Sequence, residues 1–152
     1  MDLNDKKARF FARRMHTPDD APHAAAREAL RLASRALIPL HRALIEATKS
    51  DYAFAYEPVD QPTQLFRLVS DHPFFAWLRP ITTLIVEIDE LAQRDFELAE
   101  AAAMGRRIEQ LFGGPPDAEF AQRYIPILQR DVDVAIGHAE VRKAAAALQQ
   151  QA

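Results

Sequence analysis

The chain has 152 residues, 49% of them apolar and 27% charged, enough for one domain with its own core and unlike a disordered segment. It contains no cysteine, which excludes disulfides, thiolate metal sites and cysteine nucleophiles. A net charge of −3 supplies no bulk electrostatic drive toward nucleic acid, so no nucleic-acid partner is expected.

Residues 1–14, MDLNDKKARFFARR, carry Lys6, Lys7, Arg9, Arg13 and Arg14 against Asp2 and Asp5, giving +5 − 2 = +3. The remainder is therefore −6. Residues 1–20 are expected to be a basic, flexible arm ahead of a domain over 21–152. Phe10 and Phe11 among the cations suit contact with an anionic surface, the alternative being a solvated terminus. No apolar run has the form of a signal peptide or the length of a membrane span, so a cytoplasmic location is expected.

The breaker cluster Pro18-Asp19-Asp20-Ala21-Pro22 predicts a first helix from about Ala24. Its apolar face is Leu30, Leu37, Leu40, Leu44 and Ile45, ending near Ser50. The following DYAFAYEPVDQP has two prolines and no lasting period, and reads as a loop packing Tyr52, Phe54 and Tyr56 on the domain. Thr63 suits the cap of a short helix with Leu65, Phe66, Leu68 and Val69. Asp71 before Pro73 predicts the start of a second long helix, whose stripe is Phe74, Trp77, Leu78, Ile81, Leu84, Ile85, Ile88 and Leu91.

The stripe weakens at Gln93-Arg94-Asp95, and Asp95 is expected to cap a third helix with Leu98, Ala102, Ile108, Leu111 and Phe112. Gly113-Gly114-Pro115-Pro116 is a stop signal. A last helix from about Asp117 uses Phe120, Tyr124, Ile127, Leu128, Val134, Val141 and Leu148. The expected fold is all-α: a four-helix antiparallel bundle with proline-kinked helices and one short extra helix.

Three prolines, Pro39, Pro80 and Pro126, fall inside these helices. Each removes a backbone donor and frees the carbonyl four residues earlier, on Arg35, Ala76 and Gln122. The kinks either open a pocket for an apolar ligand or only curve helices around bulky side chains.

Polar residues also stand on apolar stripes. Ile127, Asp131, Val134, His138 and Val141 follow alternating steps of four and three, and His41 lies between Leu37 and Leu44. Glu87 and Asp89 flank Ile88. His41, Glu87, Asp131 and His138 are thus candidate ligands of a divalent metal. In the alternative reading the histidines bond carboxylates or backbone and set helix register. The glutamate-to-histidine step of three that marks di-metal bundles is absent.

Trp77, Arg79 and Asp89 form a second candidate set. Arg79 is read either as a buried guanidinium paired with Asp89, Asp131 or Asp133, or as an anchor for an anionic ligand. No glycine-rich phosphate loop, nucleophile elbow or His-Glu-x-x-His motif is present, so neither a catalytic residue nor a cofactor is expected. The preferred reading is a non-catalytic binding or protein-interaction module. Its alternatives are a metal-binding bundle and an apolar-ligand bundle. Exposed Phe54, Tyr56 or Phe66 would suit a protein partner or a homodimer.

Two runs, Pro73-Phe74-Phe75-Ala76-Trp77-Leu78-Arg79 continuing through Leu84 to Glu90, and Arg123-Tyr124 with Leu128 to Val134 and His138-Ala139, carry a resemblance. Together they resemble a family of small, uncharacterised, all-helical bacterial proteins. The resemblance implies a helical fold and carries no activity or site residue.

Overall fold

The computed structural model describes residues 19–151. The expected basic arm therefore lies outside the described residues, apart from Asp19 and Asp20. The described chain is helical throughout its regular elements: α1 Ala21–Ala55, α2 Pro62–Asp71, a 3₁₀ segment Pro73–Leu78, α3 Arg79–Ala92, α4 Leu98–Phe112, α5 Glu119–Arg130 and α6 Val132–Gln149.

Asp20 starts α1 by accepting a hydrogen bond from His23 N at 2.9 Å, with Pro22 in the first turn where its missing donor costs nothing. The helix does not stop at Ser50, as the sequence suggested, but runs to Ala55. Buried Tyr52 is the reason. Its ring packs on Phe74 and Phe75 at 5.7 and 5.9 Å, so tertiary burial holds the last turn where no periodic stripe marks one.

The expected second long helix is two elements. His72, rather than Asp71, caps the 3₁₀ segment, its Nδ1 accepting from Phe74 N at 3.1 Å. Helix α3 begins at Arg79, so Pro80 occupies a first turn and is not an internal kink. Pro39 and Pro126 do lie inside their helices.

Glu97, not Asp95, starts α4 through a reciprocal capping box with Glu100. The expected last helix is also divided. Asp131 adopts an extended conformation, φ −117° and ψ 117°, and its carboxylate accepts from Val134 N at 3.1 Å to start α6. A capping aspartate thus outweighs the continuous apolar stripe on either side of it. Among the described residues, six α-helices and one 3₁₀ segment take the place of four long helices and one short one.

Helix α6 packs on both α1 and α4, and α1 packs on α3. Two glycines set the closeness. A Cβ on Gly137 would sit 3.1 Å from Leu40 Cβ, and one on Gly105 would sit 2.7 Å from the Ala145 carbonyl. Leu30, Leu37, Leu40 and Leu44 of α1 meet Ile81 and Ile88 of α3, Ile108 of α4 and Val134, Val141 and Leu148 of α6 in one core. No helix among the described residues is long and apolar enough to cross a membrane.

Candidate functional site

Four polar side chains on α1 follow one seam. Arg27, Ser34, His41 and Thr48 recur every seven residues, interleaved with Leu30, Leu37 and Leu44. Arg27, Ser34 and Thr48 are buried, and His41 is half-buried. The Thr48 hydroxyl donates to Leu44 O at 2.6 Å, which satisfies it within its own helix.

Arg27 was not singled out in the sequence, although its period with Leu30 and Leu37 was the available signal. Its guanidinium donates to Ala92 O at 2.5 Å and Arg94 O at 3.0 Å, pairs with Asp19, and lies 4.8 Å from the Phe96 ring centroid. These contacts fasten α1 to the α3–α4 connection.

The four candidate metal ligands each have a separate engagement. His41 Nε2 lies 3.4 Å from Thr82 Oγ1, and burial holds its pKa below the ordinary value. Glu87 pairs with Arg107. Asp131 caps α6, and His138 Nδ1 lies 2.7 Å from Tyr124 Oη. Burial, reinforced by the Arg142 charge, lowers the His138 pKa, and burial raises that of Tyr124. Among the described residues no group of three or more His, Asp or Glu side chains is assembled closely enough to hold a metal ion.

Trp77, Arg79 and Asp89 do not form one wall. Trp77 is half-buried against Phe120, ring centroids 5.5 Å apart, with the Arg123 guanidinium 5.6 Å from its ring. Its Nε1 is buried without a hydrogen-bond partner. Arg79 is exposed, not buried, because it opens α3 on the solvent side. Half-buried Asp89 lies on the same helix about 15 Å further along its axis, too far for the anticipated ion pair. Pro39 and Pro80 line different concavities, so the proline positions do not combine into one pocket.

The arrangement instead concentrates unburied aromatic surface around the α1–α2 junction. Phe54 is 96% exposed, Tyr56 64% and Phe66 74%. Tyr56 belongs to an aromatic layer: its ring lies 5.0 Å from Tyr52, 5.8 Å from His72 and 5.9 Å from Phe74. Arg123 sits 5.0 Å from the Phe74 ring, a cation over the same layer. Beside it, Tyr52, Arg67, Asp71 and His72 line a concavity of about 400 Å³. These groups suit the burial of an apolar segment with polar contacts at its rim, and no nucleophile–base pair is among them.

Comparison with family models, curated proteins and solved structures returns no match for this chain.

Proposed function

We propose that this protein is a non-catalytic interaction module that engages a protein partner through the aromatic surface at the α1–α2 junction. The observation that carries the reading is the exposure of Phe54, Tyr56 and Phe66 within a short stretch of chain around the α1–α2 junction, Tyr56 packing on a layer of Tyr52, His72 and Phe74. Folding gains nothing from the exposed part of these rings, whereas a partner that covered them would bury a large apolar area at small entropic cost. Aromatic side chains of this kind dominate the binding energy of protein interfaces.

A photo-reactive phenylalanine placed at position 54 tests this in the producing cells. The expected result is one discrete protein adduct, lost when Phe66→Asp is added without a change in melting temperature. No adduct would count against the reading. Turnover of a small molecule by purified protein, abolished by Arg79→Ala with the fold intact, would replace it with an enzymatic one.

A further inference from the structure

Between them α1 and α6 leave a groove of about 630 Å³. Ala36, Pro39, Ala43 and Gly137 line it, small or compact residues that leave it concave. At its edges Leu32 is 50% exposed and Ile136 59% exposed. The two rims differ in charge. Arg35 and Arg42 line it from α1, and Asp133 and Glu140 from α6.

We propose that this groove is the interface of a two-fold symmetric homodimer, with α1 of each copy lying on α6 of the other. The contact register supports that pairing. Gly137 of α6 packs against Leu40, and Arg130, at the end of α5 just ahead of the α6 start, bonds Asp51 near the end of α1 at 2.6 Å, so residue numbers run in opposite senses along α1 and α6. A two-fold axis parallel to the helices carries α1 over the partner's α6 and keeps every residue at its own height.

At that height Arg42 falls between the levels of Asp133 and Glu140, and Arg35 falls within a turn of Glu140. The cationic rim of each copy therefore meets the anionic rim of the other, twice per dimer. Ile136 comes level with the Pro39–Ala43 stretch, a protruding side chain opposite a concave one. Glu46, at the end of the groove, faces Lys49 on its own helix at 3.9 Å, and Asp131 is engaged as the α6 cap. Two helices side by side over the length of α6 offer a face of about 27 by 20 Å. With side-chain relief, that approaches the roughly 800 Å² per partner of a standard interface.

Sedimentation equilibrium on the full chain across a concentration series tests this. The expected species is a dimer of two 17.2 kDa chains. Ile136→Asp, an exposed position whose change should leave the helical circular dichroism of the folded chain intact, is expected to abolish it. Arg42→Glu and Glu140→Arg should each raise the dimer Kd by about tenfold or more, because each sets like charges opposite one another. The double swap should bind more tightly than either single variant.

A monomer at every concentration overturns the proposal, whether the groove is then covered by residues 1–18 of the same chain or by a different protein. A dimer indifferent to Ile136→Asp overturns it too, and would place the contact elsewhere, the aromatic surface included. A double swap no tighter than the single variants overturns the facing of α1 on α6.

Discussion

Tyr124 Oη and His138 Nδ1 lie 2.7 Å apart, which links α5 to α6 across the break at Asp131. With both groups neutral the phenol donates and the imidazole accepts, leaving the ring proton on Nε2. The phenol ring also stacks on Phe120 at 5.1 Å and meets Phe112 at 5.4 Å, so packing and hydrogen bonding are separable at this residue. Tyr124→Phe keeps the ring and is expected to cost about 1 kcal/mol. Tyr124→Ala should cost about 3–5 kcal/mol through the cavity it leaves. Urea unfolding of the two variants checks the difference, and equal losses would mean that the hydroxyl, not the ring, dominates.

The histidines give stability a pH dependence of known sign. His41 and His138 are held below the ordinary value near 6.5 by burial, so the unfolded chain binds protons more readily than the fold. Their penalty is absent above the unfolded value and grows as pH falls through it toward the folded values. His23 has the opposite sign. Its hydrogen bond to Asp20 raises its pKa, so its contribution is present below the unfolded value and is lost as pH rises through the folded one. The net expectation is a fold that loses stability between pH 7 and pH 5. His138→Gln and His41→Gln should flatten that slope in chemical unfolding, and His23→Gln should steepen it.

The sequence made some of this legible and some not. The leucines of α1 and the isoleucines of α3 were readable because a helical stripe repeats over many turns, and each step reinforces the last. The end of α1 was not, since Tyr52 is buried by contacts with Phe74 and Phe75 that no local pattern encodes. Asp131 was read as a stripe residue because its spacing fits, yet a carboxylate that can accept a backbone N–H starts a helix at that same spacing. Arg79 was read either as a buried, paired guanidinium or as an anchor for an anionic ligand, and its position at the start of α3, which turns it to solvent, removes the first of these. Of the candidate site residues, the sequence located the polar positions on the helices but not their partners, which depend on how the helices are rotated against one another.

Arg27 offers a sharper test of how the fold is fastened. Only 3% of it is exposed, and it donates to the carbonyls of Ala92 and Arg94 while pairing with Asp19. Arg27→Met fills much of the volume but removes every donor, leaving the Ala92 carbonyl without this partner in a buried setting. A loss of about 3 kcal/mol is expected, above the roughly 1 kcal/mol of an average hydrogen bond, because the charge opposite Asp19 is removed too. Arg31→Met, on the exposed side of the same helix and outside the groove, should change stability by less than about 0.5 kcal/mol. Thermal unfolding of the pair separates a fastening role from a general effect of charge on α1.

Gly105 tests the packing of α4 on α6 by a route in which two physical effects oppose each other. Alanine in a helix interior is favoured over glycine by about 0.8–1 kcal/mol from intrinsic propensity. Against this, the new methyl would lie 2.7 Å from the Ala145 carbonyl and 2.8 Å from Leu148 Cβ, positions fixed by the backbone of α6. A backbone carbonyl cannot swing aside as a flexible side-chain tip can, so α6 must shift away from α4. Overpacking of this kind costs about 1–3 kcal/mol, which exceeds the propensity gain. Gly105→Ala is therefore expected to lower the melting temperature despite its better helix former, and Gly105→Leu to lower it much further. A more stable Gly105→Ala protein would show that α4 and α6 pack less closely at this point than their glycine contact indicates.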